Sequence, residues 1–543
     1  MKKRWIAFLL ALIVLSGLAL PVMAQEKPED VTLRMLICWT GLSFLKPDDQ
    51  VNNAIGQVIK EKTGVTLDID WINTTEVETL NLEFSKNSDM PDIIMAAYGP
   101  GAVVTSDIIN KAANEGLLLP LDNLIDQYGP NLKNVGKVDV SEGMQAMLND
   151  PEVGNGATFC LPIHTAKTPD EIINWGYTVY CRGDILKSLN VDPASITTSD
   201  DLYELAKKIK NGNFVDTMGN PVIPASCWVN GWSYECFCNS FRYRTISGWM
   251  LDENGNVTSP WFTDLVEKEA LFMRKMINEG LYDVESFTQD DATSKAKYAT
   301  GRVALTGAHW YHIDANTRDL ELAHPEMRYE PLGPILDAKG DPQTGANIRL
   351  TGVEYTGCMM LTKDCKNPEA AIKYLNFLNS DEGKRLAYLG IEGEDWEWHN
   401  GEPRMTEAFI EEMEKDPRYG INRGIDSIYT FGCAQIENAM YERARNWKKE
   451  DDKTLETVQE MYPLYIYEGI PLSYYQEQYP GYEDFRFALE SIGFNLDQAY
   501  FAASDAAAIK MIERYRKALI SIGYEDYMNF LNEIYKTVPG VIL

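Results

Sequence analysis

Beyond residue 30 the chain alternates two apolar patterns. The run "VTLRMLICW" (31–39) is rich in long and β-branched apolar side chains, as in a strand buried on both faces. In "NNAIGQVIKEKTG" (52–64), Ile55, Val58 and Ile59 recur at helical spacing, and Gly64 stops the helix. A second strand is predicted from Val65 to Ile72. "PDIIMAAYGPG" (91–101) reads as a short buried strand running into a Gly/Pro turn. Strand, helix and strand in succession predict an α/β fold with a mostly parallel sheet covered by helices. Ligands of such sheets sit outside the carboxyl ends of the strands. Trp39 and Tyr98, each just past a strand, are therefore candidate cleft residues.

The same logic continues downstream. "TTSDDLYELAKKIKNGN" predicts a helix opened by a capping box of Thr198 and Asp201 and ended at Gly212. "WMLDENGNVTSPW" predicts a hairpin turning at Asn254 and Gly255, ahead of the helix in "TDLVEKEALFMRKMINEGL". "NPEAAIKYLNFLNSDEGKRLAYLG" predicts two helices, the first with Asn367 as cap and Pro368 in its first turn, the second capped by Ser380 and closed by Gly390. In "GRVALTGAHWYHID" (301–314), a buried strand through Val303 and Leu305 ends at Thr306 and Gly307 and delivers the aromatic run to an edge. No internal repeat or low-complexity linker interrupts the chain, so domains joined by several crossings are expected.

The first residues differ in kind. "MKKRWIAFLLALIVLSGLALPVMAQ" combines a basic start, an apolar run from Trp5 to Leu20, and small residues at Val22 and Ala24 before Gln25. It predicts a secretory signal peptide over 1–24 and hence an exported protein. The net charge of -31 across 543 residues excludes a basic nucleic-acid face and disfavours a negatively charged membrane surface. Nine cysteines, an odd number with no zinc-type spacing, are expected to be mostly buried small hydrophobes. There is no Gly-x-Ser-x-Gly elbow, no His-Glu-x-x-His and no phosphate-binding Gly-rich Lys loop. His309 and His312 lie three residues apart without a third partner, which argues against a metal there.

Seven stretches, taken together and in this order, carry a resemblance: "SDMPDIIMA" (88–96), "NEGLLLPLDNLID" (114–126), "WGYTVYCRGDILKSLNVD" (175–192), "MINEGLYDVESFT" (276–288), "GRVAL" (301–305), "NPEAAIKYLNFLNSDEG" (367–383) and "IEGEDWEW" (391–398). The chain resembles the extracellular solute-binding proteins of ATP-driven sugar importers, specifically the large members that bind oligosaccharides or polysaccharide fragments. That resemblance implies a two-lobed, type II periplasmic-binding-protein-like fold with a hinge. The first lobe is expected over 25–160 plus 350–395, the second over 161–349 plus 396–543. It also implies a carbohydrate held in the cleft, a membrane permease as partner, and a monomer with no enzymatic activity. The cysteine that follows the signal in lipid-anchored members is not present at Gln25, and Cys38 is too deep to replace it. Some large members carry an acidic calcium loop; here "NGNFVDTMGNPVIP" (211–224) has Asp216 as its only acid. Calcium is accordingly disfavoured and no cofactor is expected.

A sugar site needs flat apolar surfaces and rim hydrogen-bonding groups. Besides Trp39 and Tyr98, the candidates are Trp175 and Tyr177 near the first crossing and Trp228 and Trp232 in the turn-rich "CWVNGWSYE". In "AHWYHID", Trp310 is the expected stacking platform and His309 a neutral hydrogen-bond partner, with Tyr311 and His312 packing. Arg182 with Asp184, and the Trp396–Trp398 turn, read as structural. A secreted glycosidase or lyase, and a peptide receptor of the same fold, are the alternative functions.

Overall fold

The computed structural model describes residues 29–39, 45–72, 76–86, 88–97, 106–133, 156–163, 174, 176–345, 347–350, 357–416, 418–432, 454–467 and 469–543. The signal segment, Tyr98 and Trp175 lie outside them. The strands of the two larger sheets are β1 (Val31–Cys38), β2 (Val65–Trp71), β3 (Ile93–Ala97), β4 (Cys160–Ile163), β5 (Thr178–Arg182), β6 (Ile223–Ser226), β7 (Val303–Ala308), β8 (Tyr329–Pro331) and β9 (Gly357–Leu361). Among the helices are α1 (Ala54–Thr63), α2 (Ser199–Asn211), α3 (Trp310–Ala323), α4 (Pro368–Leu378), α5 (Asp381–Leu389) and α6 (Thr454–Met461).

The first sheet runs β2-β1-β3-β9-β4 and the second β8-β5-β7-β6. Alternation along the first sheet buries both faces. Leu33, Met35, Ile37, Ile93, Met95 and Met359 pack on one side, while Leu36, Cys38, Ile94, Ala96 and Cys358 pack on the other. Of the helix ends that the sequence predicts, Gly64 closes α1 in the left-handed region, Thr198 and Asp201 form a capping box on α2, and Ser380 accepts from Gly383 on α5. Asn367 stands at the cap position of α4 without a side-chain cap hydrogen bond, and Asn53, not foreseen, accepts from the amide of Gly56 at the start of α1.

In each sheet all strands but one run the same way, and the two exceptions have one cause. In the first sheet β9 runs antiparallel to β3 and β4; in the second β5 runs antiparallel to β7 and β8. The other neighbouring pairs, β1 with β2 and β3, and β6 with β7, are parallel. β5 and β9 are the strands that receive the chain after it has crossed from the other lobe. A chain arriving at the carboxyl edge of a sheet can only run away from that edge, against its neighbours. The carboxyl edges of both sheets are therefore the edges that the crossings join.

The boundary between lobes also differs from expectation. The sequence reading assigns 396–543 to the second lobe. Trp396, Met405, Phe409, Ile425, Ile428 and Tyr429 instead pack into the core of the first, with α4 and α5. Trp396 donates its indole N–H to the carbonyl of Gly390 at 3.0 Å, which fastens the 396–405 hairpin onto the end of α5. The chain rejoins the second lobe at α6, where Val458 and Tyr462 enter a cluster with Tyr180, Tyr298 and Trp310. Past residue 472 a further core of Leu472, Phe485, Leu519, Tyr524, Tyr527 and Leu531 gathers the last helices against Trp249 and Val257, in and beside the predicted 250–258 hairpin.

Candidate functional site

Three connections converge on the carboxyl edge of the second sheet. Thr178 pairs with Ala308 and Ser226 with Thr306, so Tyr177 before β5, the loop after β6 and the start of α3 after β7 are neighbours. The loop (227–241) is unusually bent: Asn230, Gly231 and Ser233 all have positive φ. Its closeness to β7 explains the glycine in "LTGAH". A Cβ at Gly307 would stand 2.2 Å from the carbonyl oxygen of Ser233 and 2.9 Å from Cβ of Cys236, so only glycine lets the loop lie on the strand end.

This packing turns Trp232 outward beside three other rings. Its centroid lies 5.5 Å from His309, 4.9 Å from His312 and 5.9 Å from Tyr177, and Trp232 is 39% exposed. The Tyr177 hydroxyl donates to Oε1 of Glu235 at 2.7 Å. Nδ1 of His309 accepts the backbone N–H of His312 at 3.0 Å, which makes His309 the N-cap of α3. Burial holds the His309 imidazole down at about 3, with the neighbouring His312 adding to it, and burial holds His312 down at about 4. Both rings are therefore neutral near pH 7 and offer uncharged hydrogen-bonding edges.

Two tryptophans expected at this surface are part of the core. Trp310 is 5% exposed and packs with Tyr180, Val458 and Tyr462. Because His309 occupies the cap, Trp310 is the first residue of α3, and its side chain packs beneath the strand end instead of projecting from it. Trp228 is 3% exposed; it stacks on Tyr298 at 3.7 Å, meets His312 edge-on at 4.1 Å and donates its indole N–H to the carbonyl of Gly307. Neither ring has a free face for a ligand. His312, read as packing, forms part of the wall beside Trp232.

On the first lobe, Trp39 follows β1 and is partly buried. A Cβ at Gly357, the first residue of β9, would lie 2.8 Å from its ring, so the indole rests on the carboxyl edge of that sheet. Glu235, Arg244 and Asn239 line or adjoin the same region of the second lobe and were not foreseen. Only the position of Glu235, three residues past Trp232, could have suggested it. The buried Arg182 pairs with the partly exposed Asp184 at 2.6 Å, the structural pair that was expected.

The calcium reading can be tested on the loop itself. Asp216 is buried, and its Oδ1 accepts the amides of Met218 and Asn220 while Oδ2 accepts the Asn220 side chain. A lone carboxylate spent on its own turn does not fit a calcium ion. Among the described residues no group of three or more His, Cys, Asp or Glu is arranged to hold a metal. The eight described cysteines are all buried free thiols.

Known proteins with related sequences or folds agree with this architecture. The chain is 29% identical over 286 residues to the fructooligosaccharide ABC transporter substrate-binding protein FusA of Streptococcus pneumoniae, a match spanning 51% of this chain and about half (48%) of that protein. The fold is similar to that of the alginate-binding protein AlgQ2 (TM-score 0.65, 19% identity, 94% of this chain and 98% of that one). It is also similar to FusA in complex with kestose (TM-score 0.60, 18% identity, 93% and 99%) and to a solute-binding protein from Bifidobacterium longum infantis described as binding HMO (TM-score 0.56, 16% identity, 94% and 99%). Residues 48–385, well over half of the chain, match the family described as bacterial extracellular solute-binding protein, and the chain belongs to that family.

Proposed function

We propose that this protein captures an oligosaccharide between its two lobes and delivers it to the membrane permease of an ATP-driven importer. The observation that carries the reading is the wall of Trp232, Tyr177, His309 and His312 on the carboxyl edge of the second sheet, an edge that the crossings join to the one bearing Trp39. The Trp232 face offers stacking for the C–H surface of a sugar ring, while the neutral imidazole edges and Glu235 offer donors and acceptors for hydroxyls. Each aromatic contact contributes on the order of 1 kcal/mol beyond area burial. A few such contacts with rim hydrogen bonds reach micromolar affinity, about -8 kcal/mol. FusA and the Bifidobacterium protein are described by sugars they bind, which supports a saccharide over a peptide. In this reading the 1–24 segment exports the protein, which works as a monomer and returns its ligand chemically unchanged.

The test is a thermal-shift screen of the purified protein against oligosaccharides and peptides, followed by chromatography of the bound sugar. A ligand that binds the folded state raises the melting temperature by mass action. Stabilisation by saccharides, recovered intact after prolonged incubation, is the expected result. Stabilisation by peptides alone, or recovery of shortened sugars, overturns it.

A further inference from the structure

Several of the described arginines set into this protein meet a carboxylate. Arg182 pairs with Asp184 at 2.6 Å, Arg242 with Glu269 at 2.6 Å, Arg274 with Asp505 at 2.9 Å and Arg516 with Glu267 at 2.5 Å. Arg244, in the same loop region as Trp232, departs from this pattern. Its Nε donates to Oδ1 of Asn239 at 2.9 Å, and among the described residues no carboxylate forms an ion pair with its guanidinium. The side chain is partly buried and lines a narrow recess together with Tyr177, Cys236 and Thr344. Tyr177 is also a wall of the Trp232 site, so the recess adjoins the aromatic surface through that ring. Nη1 faces the return crossing: a Cβ at Gly345 would lie 3.8 Å from it.

An arginine withdrawn from water without a counter-charge is costly, and in a chain carrying -31 carboxylate partners are abundant. The charges that act on it are Glu235, Glu269 and Arg242. Glu269 is held by Arg242 and by the hydroxyl of Tyr500, and Glu235 accepts the hydroxyl of Tyr177. Asn239 orients the guanidinium through Nε alone, which leaves the two-nitrogen fork that matches a carboxylate bidentately.

We propose that Arg244 is a specificity-determining residue that selects saccharides bearing a carboxylate, of the uronic-acid type, the acid group reaching the guanidinium from beside the ring stacked on Trp232. The inference rests on the oligosaccharide reading above and narrows its substrate class. Glu235 repels a carboxylate brought close to it, so it fixes the direction of the ligand: the acid points to Arg244 and a hydroxyl to Glu235.

The experiment measures binding by titration calorimetry for short uronate oligosaccharides of several linkages, each beside its carboxyl-reduced neutral counterpart. The wild-type protein is expected to bind at least one uronate about ten-fold more tightly than its reduced partner. Arg244→Gln should weaken uronate binding about ten-fold more than it weakens binding of the reduced sugar, and Arg244→Lys should restore part of that preference. Its melting temperature without ligand checks that Arg244→Gln folds, and the wild-type preference needs no variant at all. If wild type binds reduced or other neutral oligosaccharides as well as or better than uronates, the acidic assignment falls while the oligosaccharide reading stands. Equal loss for both sugars in Arg244→Gln also overturns it. Failure of every saccharide, charged or neutral, overturns both.

Discussion

The loop after β6 and the helix start after β7 leave the same sheet edge side by side, and each carries a tryptophan flanked by polar residues. They use that tryptophan in opposite ways. Trp310 is sealed at 5% exposure under the strand end, whereas Trp232 stands 39% exposed with three rings around it. The difference lies in the backbone. After β7 the chain enters a helix at once, with His309 as cap, and the first helical side chain is drawn into the core. After β6 the chain spends Asn230, Gly231 and Ser233 in left-handed conformations, and the resulting bend turns the next ring out. Ring type and sheet edge are the same in both; cap and turn decide which one meets a ligand.

Trp310→Ala should separate the two most strongly. Emptying a buried tryptophan site costs about 3–5 kcal/mol, because the cavity term adds to the lost transfer energy. Denaturant unfolding should register that loss, while folded protein keeps its sugar affinity within about a factor of three. A small stability loss with a large affinity loss would return Trp310 to the binding surface.

The joint between the two regions is His309, which caps the helix and faces Trp232. Both imidazoles are held low, at about 3 and about 4, by burial. Above pH 6.5 they are neutral folded or unfolded, and stability is unaffected. As pH falls below about 6.5 the unfolded chain takes up protons that the folded one refuses, so stability declines until the folded values are reached. For one histidine the decline between pH 7 and 5 is about 2 kcal/mol at most, and less for a ring with some solvent access. His309→Asn keeps a side-chain cap and removes one titrating group. Its melting temperature should fall less steeply over that range than the wild type's, the carboxylate contribution being common to both. Parallel curves would show that His309 protonates freely in the folded state.

Much of this contrast could not be read from the sequence. Period and caps are local, so α1, the capping box of Thr198 and Asp201, the hairpin at Asn254 and Gly255, and the cap of Ser380 were legible. The landmarks also led to two lobes. The reversed strands β5 and β9 were not legible, because their direction follows from where the crossings arrive. Nor was the membership of 396–432: its apolar residues fit either core, and only the tie from Trp396 to Gly390 assigns them. In the aromatic wall, Tyr177 was legible as a ring near the first crossing, and Trp232 and His309 as a ring and an imidazole beyond strand ends. Trp228 and Trp310 looked the same in sequence, and Arg244 depends on a partner that is missing in space.

Trp232→Ala should leave the fold nearly intact and weaken sugar binding about ten-fold, about 1.4 kcal/mol. Calorimetry on the same sugar used for the Trp310 variant makes the pair decisive. Unchanged affinity would mean that the outward ring of the β6 loop is not a contact, and the site would have to be sought across the cleft at Trp39.

The smallest effect is expected at a third tryptophan, and it tests whether exposure alone makes a sugar platform. Trp398, in the 396–405 hairpin of the first lobe, is 47% exposed, more than Trp232. Its surroundings differ: it meets the buried Trp396 edge-on at 5.3 Å and lies 6.0 Å from the Arg385 guanidinium, with Glu397 and His399 exposed on either side. The hairpin hangs from the end of α5 and is not a continuation of a strand at its carboxyl edge, so it lacks the convergence that gathers three rings around Trp232. Trp398→Ala should therefore change stability by no more than about 0.5 kcal/mol and leave sugar affinity where it was. If it weakens binding as much as Trp232→Ala does, convergence at the sheet edge is not what defines the site, and any exposed ring on either lobe would serve.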